Sequence, residues 1–96
     1  MHYLLIYEVV PDYVNRREAF REAHLALASA AVKRGELTLG GAVGDPVDGA
    51  LFVFRCDTAA VPNAFATPDP YVLNGLVTRW RVQPWHTVDG LATSPP

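Results

Sequence analysis

The chain has 96 residues, half of them apolar, and a net charge of −2 at neutral pH. That length suits one domain, which buries only about 60–65% of the surface its unfolded chain exposes. The acidic balance and scattered basic residues exclude a phosphate-tracking nucleic-acid surface, and no apolar stretch is long enough to span a bilayer. The single cysteine, Cys56, cannot close an internal disulfide and reads as a small buried hydrophobe. One cysteine and three scattered histidines offer no clustered zinc ligands, so neither a metal nor a cofactor is expected. The apolar surplus points to surface shared with a second copy of the chain.

Met1-His2-Tyr3 leads directly into a strand-like run with no basic segment ahead of it, so a cytoplasmic location is expected. Residues 2–10 (HYLLIYEVV) read as a strand whose two faces are both apolar, which implies cover on both. Pro11 ends it, and Asp12 or Asn15 can cap the helix beyond it. From about Asn15 to Arg34 the spacing predicts one helix. Phe20, Ala23, His24, Leu27, Ala30, Ala31 and Arg34 fall near one face, and Gly35 closes the helix.

Residues 36–43 (ELTLGGAV) read as a second strand, with Gly40 and Gly41 marking a bulge or a close backbone approach. Residues 44–49 form a turn by composition, and 50–56 (ALFVFRC) a third strand, giving a hairpin. A poorer helix is expected over 59–66, interrupted at Pro62. Asp69 then caps a short helical turn that starts at Pro70 and runs to Asn74-Gly75. Residues 76–88 alternate as a fourth strand, with Trp80 and Trp85 on opposite faces and Pro84 placing its far half at a sheet edge or outside the sheet. A domain over 1–88 with a loose tail over 89–96 is expected. The order β-α-β-β-α-β is that of an α+β ferredoxin-like plait, a four-stranded antiparallel sheet with both helices on one face. The other face is left for a second subunit, so a homodimer is expected.

The chemistry-bearing residues are few. His24 falls on an apolar helical stripe, where an imidazole needs a partner for its ring N–H. Asp69 stands at a helix start, where a carboxylate both caps and keeps a second oxygen free. Held together, the two form a minimal general acid/base unit. Arg17 and Arg21 flank the His24 face and read as solvated helix charges or as holders of an anionic oxygen. Tyr71 reads as packing with a hydroxyl toward a pocket, and Tyr7 as a pocket hydroxyl. His2 and His86 read as surface or interface residues. Gly40–Gly44 is not a nucleotide loop, because neither a helix start nor Lys-Ser/Thr comes after it.

Taken in order, Tyr3-Leu4-Leu5-Ile6-Tyr7, Arg21-x-x-His24-Leu25, the 35–41 region, Asp69-Pro70-Tyr71-Val72 with Gly75-Leu76-Val77, and Val82-x-Pro84-Trp85 carry a resemblance. The chain resembles the YciI-like (YCII-related) proteins along nearly its whole length to about residue 88. The resemblance implies a dimeric α+β barrel and a catalytic His–Asp pair, here His24 and Asp69. It also implies chemistry like that of a dehydrochlorinase acting on chlorinated hydroxyhydroquinones in aromatic degradation, in a fold similar to the muconolactone isomerases. The chain departs from the pattern in its short loop over 44–49 and in Gly41-Ala42, where the family often has Gly-Pro. The expected function is therefore a cofactor-free lyase or isomerase of a small cyclic oxygenated substrate. Its rivals are a non-catalytic dimeric binding or accessory domain and, third, a haem- or oxygen-using monooxygenase of the same shape. If Asp69 serves catalysis alone, Asn there should leave the melting temperature nearly unchanged. A structural His24 or Asp69 should cost about 1–3 kcal/mol when mutated.

Overall fold

The structure, a computed structural model, describes residues 1–90. Its elements are β1 (His2–Val9), α1 (Tyr13–Arg16), a 3₁₀ turn (Arg17–Ala19), α2 (Arg21–Lys33), β2 (Leu37–Gly44), β3 (Val47–Arg55), α3 (Ala60–Ala66), α4 (Pro70–Leu73) and β4 (Val77–Trp85). The strands form one antiparallel sheet in the order β2-β3-β1-β4. This is the α+β plait that the order of elements led us to expect.

Period-two alternation sorts the sheet residues. Leu5 and Tyr7 pair with Phe52, Ala50, Val82 and Trp80, and this face packs against the helices. Leu4 and Ile6 pair with Val53 and Leu51 on the opposite face, which no element among the described residues covers. Leu39 (69% exposed) and Trp85 (45%) stand on that open side. The two-sided apolar character of β1 is thus matched by cover on one side only. Pro84 is tolerated because β4 is an edge strand.

The helical region differs from expectation at Phe20, which leaves helical geometry (φ −121°, ψ 0°) and divides one helix into a short turn and α2. Nothing in Arg17-Glu18-Ala19-Phe20 is a helix breaker. Packing of the Phe20 ring against the core decides the break over local propensity. In α2 the buried residues are His24 and Ala31, with Leu27 and Ala28 half-buried, while Ala23, Ala30 and Arg34, expected on the same face, turn to solvent. Pro62 does not interrupt α3. It lies in the first turn, where backbone N–H groups have no intrahelical acceptor to lose.

His2, expected at the surface or an interface, is buried (3% exposed) within the chain, with Nδ1 2.8 Å from Thr87 Oγ1. The segment after β4 turns back, Thr87 N donating to Trp85 O, and covers it. Cys56 is half-buried, and burial pushes its thiol pKa up. Of the expected tail, residues 91–96 lie outside the described residues. No helix among the described residues is long and apolar enough to cross a membrane.

Candidate active site

Asp69 is the centre of the site, and local sequence fixes it. Its backbone is extended (φ −60°, ψ 123°), and Pro70 presets the first helical φ of α4. The carboxylate can then turn back to accept from Tyr71 N at 3.0 Å through Oδ1. The side chain is fully buried, so its remaining capacity must be met from within the protein.

Two side chains meet it. His24 Nδ1 is 3.0 Å from both Oδ1 and Oδ2, and the Tyr7 hydroxyl donates to Oδ2 at 2.7 Å. Three donors from β1, α2 and α4 therefore converge on one carboxylate, the arrangement that a buried charge requires. Burial, then the Asp69 charge and its hydrogen bond, raise the Tyr7 phenol far above its ordinary pKa, so Tyr7 remains a donor at physiological pH.

Both Asp69 oxygens are acceptors, so Nδ1 carries the imidazole proton and Nε2 the lone pair. The ring is packed among three aromatic side chains. It stacks on Tyr71 (centroids 4.1 Å apart, planes 10° apart) and lies 5.9 Å from Phe52 and 6.1 Å from Phe65. His24 keeps 7% of its surface exposed and lines a cleft of about 410 Å³ between α2 and β2. That volume suits a single-ring molecule. Leu25, Ala28 and Val32 form one wall and Leu37–Ala42 the other, with Phe52 beneath. Gly40 is required there, since a Cβ would come within 2.7 Å of Phe52 Cδ1.

Arg17, Arg21, Tyr13 and Tyr71 also border the cleft. The Arg17 guanidinium lies over the Tyr13 ring, 5.4 Å from its centroid. Its Nε is sealed from solvent without an acceptor among the described residues, which costs about 1–3 kcal/mol. Burial raises both phenols, and the nearby arginines offset part of the rise.

The structure thus brings His24 and Asp69 into contact and places Arg17, Arg21 and Tyr71 around the same opening. Tyr7 differs from expectation. Its hydroxyl is taken by Asp69 behind the cleft, and the residue does not line it. Sequence reasoning missed Tyr13, Phe52 and the Leu39–Ala42 wall. The paired glycines were the only local sign of that wall. Among the described residues, no three His, Cys, Asp or Glu side chains gather as a metal site.

The family profile of the YCII-related domain matches residues 1–86. The chain belongs to the YCII-related domain family. Among solved structures, it is similar to 5-chloro-2-hydroxyhydroquinone dehydrochlorinase from Burkholderia phenoliruptrix, determined in complex with 2,5-dihydroxybenzoquinone. The TM-score is 0.74 at 20% identity, over 92% of this chain and 96% of that one. At that identity the likeness establishes the YCII-type fold. No curated protein sequence matches the chain.

Proposed function

We propose that the cleft is the active site of a lyase or isomerase acting on a small cyclic oxygenated substrate. The observation that carries this reading is His24 Nδ1 held by both oxygens of a buried Asp69, with His24 lining the cleft. Nε2 takes a proton from the substrate, Asp69 holds the tautomer and stabilises the imidazolium, and Tyr71 supports the ring by stacking. Arg17, Arg21 and Tyr71 contact the substrate. The solved neighbour is a dehydrochlorinase in the same fold, which favours elimination. In the ring tautomer whose chlorine-bearing carbon is tetrahedral, the neighbouring C–H bond gives its proton to Nε2, its electron pair forms the ring double bond and chloride leaves with the C–Cl pair. In isomerisation the proton returns to another carbon instead. A positioned base contributes about 10²–10⁴-fold, enough for an activated phenolic ring.

The test is a screen of chlorinated hydroxyhydroquinones and lactones with chloride release and ring absorbance as readouts. The expected result is turnover by the native chain and its loss in His24→Ala. If no compound turns over, and His24→Ala binds 2,5-dihydroxybenzoquinone as the native chain does, the site is not an active site.

We infer in addition that two copies pack their open sheet faces together in a homodimer. Leu4, Leu39, Leu51, Val53 and Trp85 surround one shallow apolar depression on that face, and a second copy would bury it.

A further inference from the structure

Arg17 and Arg21 are the charges that the site leaves unanswered. The ion pairs among the described residues are His24–Asp69, Arg34–Glu36 and Arg79–Glu8, and neither arginine takes part in one. Glu18 and Glu22, their neighbours along the chain, do not pair with them. The residues bordering the cleft include both arginines and no acid. Asp69 is engaged by Tyr7, His24 and Tyr71 and does not pair with either guanidinium.

These arginines are also placed rather than free. Both are half-buried. Arg17 lies over the Tyr13 ring, and its Nε is sealed without an acceptor among the described residues. A guanidinium held part-way out of water with no counter-charge is costly, and an arriving anion relieves that cost. A guanidinium is also the group suited to two-point recognition of a planar oxyanion.

We propose that the cleft takes a substrate already ionised at neutral pH, a ring acid whose oxyanion is bound by Arg17 and Arg21 while its reacting proton faces His24. This rests on the reading of the cleft as the substrate site. Within the hydroquinone and lactone classes of that reading, it favours members carrying a carboxylate or an acidic phenol. Tyr13 and Tyr71, protonated in the fold, add neutral donors that leave the positive balance intact.

The test uses matched probes with the full chain, titrated calorimetrically at neutral pH: benzoate against benzamide, and 2,4-dinitrophenolate against 2,4-dinitroaniline. The first pair reads carboxylate recognition and the second phenolate recognition. The proposal expects at least one anion to bind roughly tenfold or more tighter than its neutral partner, and added salt to weaken that preference. Arg17→Gln and Arg21→Gln should each remove most of the preference, and Arg17→Lys should keep part of it. Equal binding within both pairs, no binding of any probe at millimolar concentration, or a preference unchanged in both glutamine variants would overturn it. The outcome is separable from the proton-transfer reading. Charge-selective binding without turnover leaves the anion site and removes the enzyme, whereas turnover of an uncharged compound without charge selectivity does the reverse.

Discussion

The Tyr7 hydroxyl donates to Asp69 Oδ2 at 2.7 Å, and neither residue lines the cleft. Through this bond, the central strand of the sheet holds the acid that holds the histidine. Tyr7 is therefore a positioning residue. Tyr7→Phe keeps the ring and removes one donor, which should cost about 1 kcal/mol of stability. It should also lower kcat by up to about tenfold with KM nearly unchanged, because Asp69 is loosened while the cleft wall is not. Denaturation and steady-state kinetics on the same preparation check both.

Asp69 carries a cap, a tyrosine and the histidine at once. Asn in its place presents an amide N–H₂ to one of these donors. Of the two outcomes expected for Asp69, this convergence favours the stability cost over an unchanged melting temperature. Asp69→Asn should lose about 1–3 kcal/mol together with activity. A variant as stable as the native chain would show that the convergence of donors on Asp69 is not a stabilising centre.

Gly40 stands where a Cβ would meet Phe52 at 2.7 Å, and Phe52 touches the rings of both Tyr7 and His24. Its ring is buried and cannot swing away freely. Gly40→Ala should cost about 1–3 kcal/mol by overpacking, whereas Gly41→Ala, with no atom within 4 Å, should be near neutral. Urea denaturation of the two variants side by side makes the comparison.

Burial holds Tyr7, Tyr13 and Tyr71 protonated beyond the ordinary phenol range. The unfolded chain releases those protons near pH ~10. Their contribution to stability is thus complete below that pH and is lost as pH climbs further toward the folded values. Stability measured from about pH 8 to about pH 11 should be flat and then fall. Tyr7→Phe should make the alkaline decline shallower.

Leu51 lies on the open face, 37% exposed, beside Leu39 and Val53. Leu51→Lys should weaken the proposed dimer by roughly tenfold or more and leave the monomer folded. Sedimentation equilibrium with circular dichroism reads both. A native chain that sediments as a monomer at high concentration would remove the dimer.

The sequence reading succeeded where a residue type and its neighbours carry the signal together. His24 stood out as an imidazole between Phe20 and Leu27 on a helical stripe. Asp69 stood out because Asp-Pro is a helix start. That they touch could not be read, since 45 positions separate them and only the packing of α2 on α4 joins them. Tyr7 was assigned to the correct strand, but alternation gives a face and no depth. The Phe20 break was invisible for a related reason, as tertiary packing imposes it on a segment without a breaker. Pro62 misled in the opposite sense, because its effect depends on a position within the first turn that composition does not specify.

The residues that hold the Asp69 carboxylate and those of the β2 wall of the cleft are different. Tyr7, His24 and Asp69 form a closed cluster in the interior, while Leu39–Ala42 belong to an edge strand whose side chains the core barely uses. Substitutions along that strand can reshape the ligand's seat at little expense to the proton-handling cluster, Gly40 excepted. Machinery and selectivity thus occupy separable segments. A chain built this way can diversify in what it accepts while retaining how it reacts, and relatives that share the histidine–aspartate contact should differ first along the β2 edge.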